Sequence, residues 1–427
     1  MEAVPMAIRT VRREVKLPSL TGMRWWAAAA VFVLHAVVFI PAYPFQKSPL
    51  FQKIHEFIPM QLGAAGVAFF FVLSGFILYW IRRPGDTYWS FLKRRVRKIY
   101  PSHIVAVLLL IAVAPVPLSR PVVWLPDLLL IHTWVSHWSS LGGLNVPSWS
   151  LVSEMLFYLT FPLLAPLVDR LPGKYVLWAI GVVFLAIAGL HTIYYLVADG
   201  PKGIENIFLP RLQPGNTTPE YEIHASPIWF AQSDIPVSPS YWLSYNFPPS
   251  RLPEFYIGVL TAKYVMTGGW TNTRLRYPLL ALAGSYGLTW FVPINYKLSV
   301  LILLPTAAVI ATACARDVSG MRTVNSRPGM IWLGNISYAF YLIQYPVMVA
   351  VTRYCLSGKS YDVRGWLLGT LVCLVLSIGL GAAIYVCIDL PITKRKARAT
   401  SVAAREPVRV VGSARNPKPI VAAVDTT

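Results

Sequence analysis

Arg24 and His35 lie eleven positions apart in the first long apolar stretch of the chain, Leu20 to Ile40. Eleven steps of ~100° return a helix to within about 20° of its starting direction, so both side chains share one face, about 16 Å apart along the axis. Charged and titratable side chains are costly in lipid and turn toward a protein interior or a watery cavity. Histidine titrates near ~6.5 when unperturbed, so a neutral His35 could take the proton of a hydroxyl as it attacks a carbonyl. The plainer role is a hydrogen-bonded histidine inside a bundle. Arg24 stays charged and is too far along the helix to share a reacting atom with His35. Gripping an anionic or polar part of a long substrate suits it, and snorkelling to the interface is its plainer role.

Glu154 stands in Ser148-Trp149-Ser150-Leu151-Val152-Ser153-Glu154, about two turns into its own apolar stretch. His35 is a similar distance from the end of its stretch. Equal depth predicts a carboxylate–imidazole pair that orients the ring; otherwise Glu154 accepts hydrogen bonds within the bundle. The run Lys93-Arg94-Arg95-Val96-Arg97-Lys98 is basic at five of six positions and is followed by Tyr100-Pro101. It reads as a loop whose guanidinium and ammonium groups suit phosphates; charge set by topology and lipid headgroups accounts for it equally well. Phe69 to Phe76 encloses Ser74-Gly75, a small pair that lets helices approach closely.

The elements that hold these residues must be membrane helices. The chain has 427 residues, 56% hydrophobic and 13% charged, against roughly 25% charged in soluble domains. Ten stretches are apolar and long enough to cross a bilayer: 20–40, 61–81, 101–118, 148–168, 175–197, 252–268, 277–293, 296–314, 331–355 and 365–388. The stretch 122–134 is too short and reads as interfacial or re-entrant. The fold class is therefore an all-α polytopic bundle of about ten transmembrane helices.

The net charge of +20 reads as a topology signal rather than a nucleic-acid footprint. Arg82 to Lys98, Arg274, Arg276, Arg316, Arg322, Arg327 and Lys394 to Arg398 all fall on one side if both termini are cytoplasmic. This divides the chain into a basic arm 1–19, a membrane domain 20–391 and a basic, disordered tail 392–427. Segment 198–250, rich in proline and aromatics, then forms an extracytoplasmic loop that could cover an acceptor. Asn216-Thr217-Thr218 within it fits a glycosylation sequon.

Other chemistries lack support. Cys314, Cys355, Cys373 and Cys387 have no CxxC spacing, so neither a metal site nor a disulfide framework is expected. Neither GxxxxGK[ST] nor GxGxxG occurs, which removes the case for ATP hydrolysis or a Rossmann cofactor. A cleaved signal peptide is not expected, because the first apolar stretch can span and holds the Arg24/His35 pair. Without an internal repeat, the symmetry of many transporters is missing.

Taken together, the motifs resemble acyltransferase family 3, integral membrane O-acyltransferases. Leu17 to Arg24 followed by His35 is similar to the family's opening. Phe70 to Phe76, Arg94 to Pro101 and Trp149 to Tyr158 follow in the family's order, with weaker matches at Arg251–Gly258 and Leu333–Leu342. The resemblance implies an acyl-CoA-dependent enzyme of the inner (plasma) membrane, without a tightly bound cofactor. It would move an acetyl or other acyl group from a cytoplasmic acyl-CoA to a hydroxyl of a cell-envelope glycan, glycolipid or related glycosylated acceptor. It also implies that His35 and Arg24 are the essential pair, with His35 as general base. Arg94, Arg95 and Lys98 would serve the donor, together with neighbouring Arg97 and Tyr100. Many members carry a histidine where this chain has Gln344, which can hydrogen-bond but not titrate. A transporter or flippase using Arg24, His35 and Glu154 as a substrate or proton path is the competing class; a non-catalytic glycan-binding relative is a third.

Overall fold

The computed structural model describes residues 15–40, 44–58, 60–82, 85–136, 143–198, 239–356 and 359–392. Most of the Pro-rich loop with its sequon, most of the basic arm and the tail beyond 392 lie outside the described residues. Among the described residues all regular elements are helical, and there is no strand.

Helix α1 (Pro18–Phe39) opens with proline in its first turn, where the missing N–H costs nothing. A short α2 (Pro49–Phe57), capped by the Ser48 side chain on Phe51 N, leads to α3 (Met60–Trp80). Helix α4 (Tyr88–Val113) is capped by Thr87 and carries Pro101 inside it. The short α5 (Pro121–Leu128) is followed by Leu130 at φ 55° and a 3-10 turn, His132–Trp134. The apolar stretch 122–134 is thus a short helix and a turn, with no continuous helix over its length. Helices α6 (Trp149–Arg170) and α7 (Val176–Val197) come next. After the undescribed loop, a π-helical turn Trp242–Asn246 leads into α8 (Pro248–Met266). Then follow α9 (Arg276–Leu288), α10 (Ile294–Lys297), α11 (Leu303–Val318), α12 (Pro328–Val351) and α13 (Val363–Ile384). The last continues as a π-helical turn, Tyr385–Asp389.

Among the described residues, seven helical segments are long and apolar enough to cross a membrane: Pro18–Phe39, Met60–Trp80, Tyr88–Val113, Val146–Arg170, Gly173–Val197, Ile294–Val318 and Val363–Ile392. The other three stretches read as spans are helical but depart from that pattern. Helix α8 carries Arg251, Glu254 and Lys263, α9 stops after 13 residues, and α12, continuous over 24 residues, includes Asn335, Gln344 and Pro346.

Helix α1 packs against α3 and α12, and α3 against α8. Glycines set the closest approaches. A Cβ on Gly75 would collide with the Phe255 carbonyl, and one on Gly258 with the Val72 carbonyl. The Ser74-Gly75 pair is therefore a helix-crossing point, as its size suggested. Burial separates centre from rim: 78% of the most apolar stretch of Ile294–Val318 lies inside the bundle, but only 22% of that of Gly173–Val197 and of Val363–Ile392. Helices α7 and α13 thus offer most of their apolar surface to lipid.

Candidate active site

The basic run is not a loop. It forms the first half of α4, in one continuous helix with the apolar stretch that follows. A helix sends neighbouring residues to different sides, and the run divides accordingly. Arg94 turns outward, pairs with Asp86 and donates from Nη1 to Ser90 Oγ at 2.7 Å. Arg97 is exposed. Arg95 turns inward, its guanidinium 5.2 Å from the Phe91 ring and 6.0 Å from the Tyr158 ring. Lys98 keeps an exposed surface yet lies in the electrostatic field of Arg24, Arg95, Glu154 and Asp389. Tyr100 points elsewhere, donating its hydroxyl to Leu129 O at 3.2 Å and tying α4 to the end of α5.

Arg24 and Glu154 line one cavity of about 50 Å³, walled also by Phe70, Ser150, Tyr338 and Tyr341. That space holds only a few waters, so a thioester-bearing arm must displace side chains to enter. Glu154 accepts the Tyr158 hydroxyl at 2.8 Å, and Ser74 hydrogen-bonds the same tyrosine. The charged neighbours of Glu154 are Lys98, Arg24 and Arg95.

The expected pairing of Glu154 with His35 is not formed. His35 is buried with its ring edge-on to Phe39, 5.3 Å between centroids, and its Nδ1 has no hydrogen-bond partner. The chain enters α6 through a segment in which Asn145 and Ser148 are fully enclosed by the protein, and the cavity that Glu154 lines is shared with Arg24 and not with His35.

Several residues of this site went unread in the sequence. Asp389, in the last π-helical turn, accepts from Ser102 Oγ at 2.7 Å and belongs to the electrostatic surroundings of Arg24 and Lys98. Its signal was available: an acid at the end of a long apolar stretch. π-turns also recur at functional sites. Tyr338 lines the cavity and donates to Ile99 O at 3.0 Å. The Tyr341 hydroxyl donates to Pro147 O at 2.9 Å and lies 2.9 Å from Ser150 Oγ. Both tyrosines fall within the Leu333–Leu342 motif, where residue type alone did not separate packing from lining.

Other motif residues are structural. Arg251 and Glu254 form a fully buried ion pair at 2.9 Å, and Arg251 lies over Phe71 and Tyr245, which joins α8 to α3. Gln344 donates to Tyr341 O at 3.1 Å, and its Oε1 has no partner. Among the described residues there is no group of three or more His, Cys, Asp or Glu that could hold a metal ion.

The family described as "Acyltransferase domain" (acyltransferase family 3) matches residues 17–386. "Acyltransferase MdmB" of Streptomyces mycarofaciens is 32% identical over 406 residues, covering 92% of this chain and 95% of its own. A Bacillus subtilis (strain 168) protein named "Putative peptidoglycan O-acetyltransferase YrhL" is 24% identical over 377 residues, 79% of this chain and 49% of its own. No solved structure matches.

Proposed function

The chain belongs to acyltransferase family 3, and from that premise we propose that it is an inner-membrane O-acyltransferase. It carries an acyl group, acetyl in the first instance, from acyl-CoA to a hydroxyl of a cell-envelope glycan, glycolipid or related glycosylated acceptor. The peptidoglycan O-acetyltransferase in the name of the Bacillus relative supports a glycan acceptor. The proposed topology has ten spans with both termini cytoplasmic, which gathers the basic residues on one side.

The observation that carries the reading is one helix with two polar stations. Arg24 stands at a charged cavity with Glu154, Lys98 and Arg95 nearby, and His35 stands about 16 Å farther along the same helix. The donor's phosphates approach over Lys98 and Arg95, and its pantetheine arm runs past Arg24 toward His35. There the acceptor hydroxyl gives its proton to the imidazole as its oxygen attacks the thioester carbonyl. The carbon–sulfur bond then breaks, and the proton passes to the departing thiolate. Binding energy from the distant nucleotide positions the carbonyl. Glu154 acts as counter-ion to Arg24 and Lys98 in the donor passage and not as an orienter of His35.

The test incubates purified wild-type and His35→Ala protein with radiolabelled acetyl-CoA and a lipid and glycan extract of the native host. Label in an extract component only with wild type is the expected result. Equal labelling by folded His35→Ala protein would overturn the base assignment. The cluster of Arg24, Glu154, Lys98 and Asp389 also suits a substrate or proton path, and transport without any thioester cleavage would favour that reading.

A further inference from the structure

We propose that a basic bowl between α9, the end of α11 and the turn before α12 binds a phosphate-bearing anion. The phosphate would come from the nucleotide end of an acyl donor or from an anionic phospholipid headgroup.

The bowl has a volume of about 690 Å³ and is lined by Arg274, Arg276, Arg316 and Arg322 with the turn Thr323–Asn325. That volume is typical of a small-molecule site. No carboxylate lines it. Asp317, next to Arg316, turns toward α1, where its Oδ2 accepts from Ser19 N at 2.9 Å. Arg316 is half held: Nη1 donates to Thr273 O at 2.8 Å, while its buried Nε has no partner. Arg276 donates to the Tyr277 hydroxyl at 2.9 Å. The guanidinium groups of Arg274 and Arg322 have no hydrogen bond or ion pair among the described residues.

Topology asks only that basic residues lie on one side of the membrane. It does not ask that arginines from two separate connections converge on one concavity. Four permanent cations without a carboxylate repel one another, and an anion carrying two or more charges relieves that repulsion. Planar guanidinium forks match phosphate oxygens two at a time, so a phosphomonoester or diphosphate fits better than a single carboxylate.

The bowl is distinct from the Arg24 cavity. Its turn is bonded to α1 on another side, through Ser19 Oγ and Thr323 Oγ1 at 2.7 Å and Trp26 Nε1 to Asn325 Oδ1 at 3.0 Å. Trp26 is two positions from Arg24, ~200° around the helix. An occupant would therefore press on the helix that carries Arg24 and His35 without entering their cavity.

Binding is tested in the full-length His35→Ala background, so failure of the transferase reading leaves the result interpretable. One arm measures radiolabelled adenosine 3′,5′-bisphosphate by equilibrium dialysis. The other counts phosphatidylglycerol against phosphatidylcholine retained in native mass spectrometry. The Arg274→Gln/Arg322→Gln variant should weaken one probe at least tenfold, and added salt should weaken it further. Loss of the bisphosphate identifies the donor as source; loss of phosphatidylglycerol identifies the lipid. Should the double variant misfold, Arg274→Gln alone must still weaken binding at least threefold. A monodisperse variant that keeps both probes, or a background protein that binds neither, overturns the site. Loss of the bisphosphate on Lys98→Gln but not on the arginine substitutions rules out the donor as the source, and the phosphatidylglycerol arm then decides the site.

Discussion

Glu154 and Arg24 face one another across a single small cavity, with the Tyr158 hydroxyl 2.8 Å from the Glu154 carboxylate. Lys98, Arg95 and Asp389 complete the electrostatic surroundings. Arg24, Glu154 and Asp389 are each half-buried, and Lys98 keeps an exposed surface. A polar donor could slide past such a compensated set without any one charge being stranded in an apolar wall.

If the two charges act as a unit, removing either should cost about as much as removing both. Arg24→Gln and Glu154→Gln should each lower kcat/KM by about 10²-fold, and the double variant should fall no further than the worse single. That failure of additivity is what electrostatic coupling between neighbouring charges produces. Independent losses that multiply in the double variant would mean that the two residues serve separate steps.

The split of the basic helix makes a second prediction. Lys98→Gln should raise the donor KM by about tenfold, because that ammonium belongs to the Arg24 cluster. Arg97→Gln should leave the donor KM within about twofold, since exposed surface charges are worth ~0–1 kcal/mol. Steady-state kinetics with varied acetyl-CoA checks both, and equal effects would return the run to a general electrostatic role.

Apolar length and ordered motifs made the helical bundle legible, and Arg24 and His35 fall on one helix, α1, as the apolar stretch around them implied. What the sequence hid was which side chains share a cavity. Glu154 was matched to His35 by counting turns along two separate stretches, whereas the fold brings it to the cavity lined by Arg24. The basic run looked like a loop because charge density outweighed helix signals that were present: Thr87 as a cap and Arg, Lys and Leu as good formers. Asp389 escaped because a lone acid at the end of an apolar stretch reads as its boundary, and only the fold brings it back to Ser102 across 287 positions.

The glycine crossings predict where the bundle cannot expand. A methyl at Gly258 would meet the Val72 carbonyl, which is backbone and cannot swing aside. Gly258→Ala should therefore destabilise by roughly 1–3 kcal/mol, the usual cost of overpacking. Gly284→Ala, where nothing lies within 4 Å, should be neutral or slightly stabilising through helix propensity. Melting temperatures of the two variants in one detergent decide it, and equal behaviour would contradict the close α3–α8 crossing.

A buried polar knot anchors the chain that leads to the cavity. Asp127, fully enclosed, accepts Ser148 Oγ at 3.0 Å and Asn145 N at 2.8 Å, with His103 Nε2 at 3.7 Å. His132 Nε2 stands 3.5 Å from the same serine. Asn145 also donates to Leu342 O at 3.0 Å, so the knot fixes the chain leading to Ser150 and Tyr341. Burial holds the His132 imidazole below its usual value, although Asp127 pulls the other way. The unfolded chain, titrating near ~6.5, then takes up the proton first. Its contribution to stability is complete above about pH 6.5 and is lost as pH falls toward the lower folded value. Asp127→Ala should destabilise at every pH, since each stranded donor costs ~1–3 kcal/mol. His132→Gln should instead flatten the fall in melting temperature between pH 6.5 and 5. An unchanged slope in His132→Gln would assign the acid sensitivity to other groups.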